Sequence, residues 1–144
     1  MTNDAMRLQR EQRWEHLLQD PSQITYVLTK DHTVMGLVNA GPMRIGHQVE
    51  AEHHTRYDAE IMAFYLLKSL HGHGAGKALF RRAVNELKAR GFRSMALWVL
   101  KGNPTCAFYQ HMGGTQDGSK CVTIPEGELQ ELRFGWRDLQ ALNY

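Results

Sequence analysis

Residues 59–100 read "AEIMAFYLLKSLHGHGAGKALFRRAVNELKARGFRSMALWVL", and this stretch decides the fold. Residues 59–67 are apolar on both faces, the pattern of a strand buried inside a sheet. Gly72, Gly74 and Gly76 then punctuate a turn. Leu79, Phe80, Ala83, Val84 and Leu87 recur at helical spacing, which predicts a helix over 76–90 that stops at Gly91. Residues 92–100 are again apolar on both faces. A strand, a helix and a second buried strand make a β-α-β crossover, and a crossover requires a parallel pair.

The flanks read differently. "ITYVLTK" (24–30) and "TVMGLVNAG" (33–41) are β-branched and alternating, joined across "KDH", so they form a hairpin. Residues 41–58 carry turn formers without a period and read as loop. "NPTCAFYQHMGG" (103–114) is a short helix with Pro104 in its first turn and glycines at its end. "SKCVTIP" and "ELQELRFGW" close the chain as an antiparallel pair around "PEGE". Upstream, Met6, Arg10, Trp14, Leu17 and Leu18 share one helical face, with Asp4 as cap and Pro21 as stop. The expected class is α/β: a mixed, mostly antiparallel central sheet, one parallel β-α-β unit, and helices on both faces.

Bulk properties narrow the function. The chain has 144 residues and reads as a single domain, 1–144. Net charge is +2, too small to argue for a nucleic-acid partner. No run approaches the ~18 apolar residues of a membrane span. The N-terminus has no apolar signal core, and Cys106 and Cys121 form no Cys-x-x-Cys, so a reducing cytoplasmic setting is expected.

The turn "HGHGAG" (71–76) admits several ligands. An ATP or GTP P-loop fails, because Ala78 follows Gly76-Lys77 where Ser or Thr is needed and His71 stands where the first glycine belongs. The dinucleotide pattern fails at Lys77. Zinc needs three or four ligands in fixed geometry, and His71, His73, His53 and His54 form no such motif, so no metal is expected. A glycine-rich turn at a helix start remains a good phosphate cradle. Its backbone N–H groups point outward and the helix dipole favours an anion. Lys77, Arg81 and Arg82 add positive charge nearby.

At these residues the sequence resembles the GNAT superfamily of N-acetyltransferases. Their acetyl-CoA motif, Gln/Arg-x-x-Gly-x-Gly/Ala, corresponds to His71-x-x-Gly74-x-Gly76, with His71 as the departure. A second block, Asn103, Ala107, Phe108, Tyr109 and Gly113, resembles the family's next strand and helix, with Ala107 one step later than usual. The two blocks cover residues 59–114.

The resemblance implies transfer of acetyl from acetyl-CoA to an amine on a small molecule or peptide. It implies cofactor contacts at Tyr65, Leu66, Leu67, His71, Gly72, His73, Gly74, Ala75, Gly76, Lys77, Asn103 and Phe108, with Phe64 in the same strand. It implies Tyr109 as the acid for the leaving thiolate. Glu60 is either a base acting through water or an anchor in a salt bridge. Glu52, His53 and His54 lie in the loop where the family binds acceptors. The alternative function is a non-catalytic sensor of CoA or acyl-CoA. Family members begin with a further strand and helix. Their expected absence here would leave a sheet edge that a homodimer would cover. Trp14 and Trp98 read as core.

Overall fold

The computed structural model describes residues 20–44, 57–72 and 74–143. Six strands form one sheet: β1 (Ile24–Lys30), β2 (Thr33–Pro42), β3 (Ala59–Leu66), β4 (Met95–Leu100), β5 (Thr115–Ile124) and β6 (Gly127–Trp136). Helix α1 (Ala75–Ala89) links β3 to β4, and α2 (Thr105–His111) links β4 to β5. The order across the sheet is β1-β2-β3-β4-β6-β5. Every neighbouring pair is antiparallel except β3 with β4. The mixed sheet and its single parallel crossover are those the sequence predicts.

Both described helices pack on one face. The side of α1 formed by Leu79, Phe80, Ala83, Val84 and Leu87 is buried. It meets Val38, Ala40, Ile61, Leu97, Val99, Phe134 and Trp136 from the strands, with Tyr109 and Met112 at α2. Helices on both faces would require the helix read over 6–20, which lies outside the described residues, as does Trp14.

Two strand starts differ most from the sequence reading. β4 begins at Met95, not at residue 92. The segment before it is spent on joining elements: Ser94 Oγ accepts from Asp58 N at 2.9 Å and Ser94 O from Ala59 N at 3.1 Å. β5 begins at Thr115, four positions before residue 119. Asp117 and Gly118 are poor strand formers, and the register shifts between Gln116 and Gly118, so the ladder absorbs them in a bulge.

A second bulge shapes the site. Asn39 pairs with Ala63 while Ala40 pairs with Ile61, so Met62 is an extra residue in β3. The bulge reverses the alternation. Ile61 faces the helices before it, whereas Phe64 faces them after it and stacks on Phe108. Ala63 and Tyr65 therefore join Glu60 on the opposite face.

The β1–β2 turn is Asp31-His32, with φ of 52° and 65°. Two left-handed residues define the tight hairpin turn that glycine favours. Since a left-handed non-glycine residue costs roughly 1–2 kcal/mol, His32→Gly should raise the melting temperature by roughly 2–8 °C. A thermal melt followed by circular dichroism checks this; no change would show that the exposed turn carries no strain.

Candidate functional site

β3 and β4 share only two pairs, Ala59 with Met95 and Glu60 with Ala96, and then part. From Ile61 onward β3 keeps β2 on one side and, among the described residues, no pairing partner on the other. Alternate backbone N–H and C=O groups of β3 therefore point into the gap. The gap holds about 260 Å³ and is lined by Ile61–Phe64 of β3, Leu97–Leu100 of β4, and Asn103, Thr105 and Tyr109.

The gap runs into a larger cleft of about 630 Å³. Phe64, Tyr65 and Leu66 form one wall; His71, Gly72, Gly74, Gly76 and Lys77 form its end; Asn103, Pro104, Thr105 and Phe108 form the other wall. Most residues that the resemblance assigns to the cofactor thus line one cleft. Leu67 does not, and its N–H is already given to Met35 O at 2.8 Å. Ala75 opens α1 without lining the cleft. His73 lies outside the described residues, as do Glu52, His53 and His54. Pro104 and Thr105 join the cleft unforeseen; their position beside Asn103 was the available signal.

The turn has the geometry of an anion cradle. Gly72 and Gly74 sit at φ +82° and +80°, and a methyl group on either would meet nothing within 4 Å. Their requirement for glycine is therefore conformational. A Cβ at Gly76 would make only ordinary contacts, 3.5 Å from Leu66 and 3.7 Å from Phe108. Gly74 precedes α1 without a side-chain cap, and no acidic residue stands in the first turn. The first N–H groups of α1 have no partner within the helix and remain available to an anion.

Of the three cations expected there, Lys77 lines the cleft, whereas the Arg82 guanidinium lies 5.3 Å from the centre of the Tyr26 ring. The His71 Nε2 is 3.0 Å from Leu66 O. A carbonyl only accepts, so Nε2 carries the hydrogen and ties the turn back to β3.

Tyr109 is buried at the junction, in an aromatic group with Phe64, Phe108, Phe134 and Trp136. Burial pushes its phenol up to about 12, against a hydrogen bond with Thr105 that lowers it. Asn103 Oδ1 accepts from Thr105 N at 2.9 Å and from Thr105 Oγ1 at 2.8 Å. The oxygen thus organises the start of α2, and the amide nitrogen is left for a ligand.

Glu60 is 1% exposed and lies on the face away from the helices. Arg44 grips it with two bonds, Nε to Oε1 and Nη2 to Oε2, each 2.9 Å. The hydrogen bond to Glu60 is also the main reason that the Arg44 pKa is raised. Residues 41–58 carry no period, so nothing in the sequence pointed to Arg44.

Among the described residues, no three His, Cys, Asp or Glu side chains cluster as metal ligands. No helix among them is long and apolar enough to cross a membrane.

A splayed parallel pair, a glycine turn at its mouth and a buried tyrosine opposite belong to a known class of fold and site. Residues 2–114 match the model of the Acetyltransferase (GNAT) family, and the chain belongs to that family. It is 34% identical over 110 residues to an uncharacterized N-acetyltransferase, YuaI, of Bacillus subtilis; the match covers 76% of this chain and 60% of that relative. The chain therefore spans less than two thirds of the relative's length. Ribosomal-protein-alanine N-acetyltransferase from Brucella melitensis superposes with a TM-score of 0.69 at 22% identity, over 90% of this chain and 76% of the other. Arabidopsis thaliana NAA60, solved with a bisubstrate analogue, gives 0.70 at 16% identity, over 87% and 80%.

Proposed function

We propose that this chain is an N-acetyltransferase that moves an acetyl group from acetyl-CoA to a primary amine by direct attack. The observation that carries the reading is the parting of β3 from β4 after Glu60, which opens onto the glycine turn. The backbone of Gly72 and of residues 74–77 fits a pyrophosphate. The open edge of β3 fits the amide-bearing arm of CoA and directs backbone groups at the thioester.

Acetyl-CoA supplies the activated acetyl group. The amine nitrogen forms a bond to the carbonyl carbon, the carbon–sulfur bond breaks, and the thiolate leaves. Tyr109 donates a hydrogen bond to that sulfur. With a phenol at about 12 against a thiol near 8.5, complete proton transfer runs uphill by about 5 kcal/mol. Tyr109 therefore stabilises the thiolate chiefly as a donor, and the amine's surplus proton goes to solvent. The test is release of free thiol from acetyl-CoA across a panel of amines. Amine-dependent release is expected; binding of acetyl-CoA with no such release would contradict the reading.

Both carboxylate oxygens of Glu60 are already engaged by Arg44, so we assign Glu60 to binding and not to proton transfer. Its proposed role is to anchor the acceptor ammonium through water. Glu60→Gln should raise acceptor KM by roughly tenfold, the scale of one charge-assisted hydrogen bond, with the acidic limb of the pH–rate profile unchanged. Loss of that limb would make Glu60 the base after all.

The two cysteines are free thiols, which suits the cytoplasm. β1 pairs only with β2 among the described strands, and a second copy aligned along it is the assembly we propose.

A further inference from the structure

Trp98 is not a core residue. It is half-buried on β4, two positions past the last pair with β3, and it lines the gap. By the alternation of β4 it stands on the face opposite α1 and α2. On the helix side the gap is closed by Phe64, Phe108 and Tyr109. An amine must therefore reach a thioester in the gap from the Trp98 side, past the largest side chain there.

Trp98 is also held. The Lys120 Nζ lies 4.3 Å from its ring centre and the Arg133 Cζ 5.8 Å. Arg133 is fully buried, and its Nε donates to Asp117 Oδ1 at 2.8 Å. Asp117 in turn accepts from the Tyr57 hydroxyl, while the Arg133 Cζ lies 4.8 Å from the Tyr57 ring. Tyr57 packs so closely on β6 that a Cβ at Gly135 would collide with its hydroxyl oxygen. A buried ion pair is a weak stabiliser by itself, and fixing one arrangement is its best-attested use. Here the network runs from Tyr57 through Arg133 to one ring face of Trp98.

We propose that Trp98, fixed by Lys120 and the Arg133–Asp117 pair, determines acceptor specificity and restricts the site to primary amines on an unbranched carbon. A rigid indole lining the gap crowds the approach to it, and a slender –CH2–NH2 end passes most easily. A substituent on the carbon bearing the nitrogen would meet the ring. Lys120 and Arg133 act as positioning residues, since they touch the indole and not the acceptor.

This inference rests on the transferase reading, and the experiment separates the two. Acetylation of matched amines, unbranched and branched at the carbon bearing nitrogen, is measured with wild type, Trp98→Phe, Trp98→Ala and Lys120→Met. The wild-type ratio of kcat/KM should favour the unbranched amine at least tenfold. Trp98→Ala should cut that preference at least fivefold, with Trp98→Phe and Lys120→Met intermediate and acetyl-CoA KM unchanged in Lys120→Met. Lys120 lies on a strand surface, so its variant keeps the test open if Trp98→Ala fails to fold. Turnover with an unaltered ratio, or a change confined to acetyl-CoA KM, would overturn the assignment to Trp98. Acetyl-CoA binding without turnover on any amine, in wild type and variants alike, would overturn the transferase reading itself.

Discussion

Tyr109→Phe should lower kcat about 100-fold while leaving acetyl-CoA affinity within about twofold; removal of a positioned acid or donor typically costs 10²–10⁴. The low end is expected because a phenol near 12 stabilises the thiolate without surrendering its proton. Phenylalanine keeps the ring, and the ring contacts with Phe64, Phe134 and Trp136 help to pack α2 against the sheet. The fold should therefore survive and the loss should fall on chemistry. The pH profile gives a second reading. Tyr109 holds its proton below about 12, so the wild-type rate should show no decline from tyrosine ionisation at any pH up to about 11. Steady-state thiol release across pH measures both. A variant with wild-type kcat would remove Tyr109 from the mechanism.

The second large effect concerns the cradle. Gly74 sits at φ +80° immediately before α1. Valine there costs more than the ~1–2 kcal/mol of an ordinary left-handed residue, because branching at Cβ crowds the carbonyl. The turn would relax and misaim the N–H groups at residues 75–77. Acetyl-CoA binding should weaken roughly 10- to 100-fold, since one misplaced charge-assisted bond is worth ~1.5–3 kcal/mol. His71→Ala should cost less than about threefold, because its ring binds Leu66 O and the backbone does the holding. Calorimetric titration with acetyl-CoA compares the two. If His71→Ala proved the worse variant, the side chain and not the backbone would be the phosphate ligand.

The sequence was most legible where one residue's pattern reports one residue's environment. The buried face of α1 could be read from spacing, because five apolar side chains recur on one side. Gly72 and Gly74 could be read because glycine marks positive φ. Features set by pairing between distant strands could not. The bulge at Met62 appears only when β3 is laid against β2, yet it decides which side chains enter the gap. Asp117 and Gly118 are poor strand formers and yet lie in a strand, held by a carboxylate bond to Arg133 on the paired strand. Trp98 looked like core because an indole in an apolar run usually is; the missing neighbour on the β3 side turns it into a wall. Arg44 left no trace, because its partner Glu60 lies beyond an aperiodic loop.

The structure of this protein with bound acetyl-CoA tests the central claim most directly. The account predicts the thioester carbon between β3 and β4, near Ala63 and Tyr109, and the pyrophosphate on the backbone N–H groups of Gly72 and residues 74–77. A thioester lying outside that gap, or a pyrophosphate held by side chains away from the glycine turn, would contradict it.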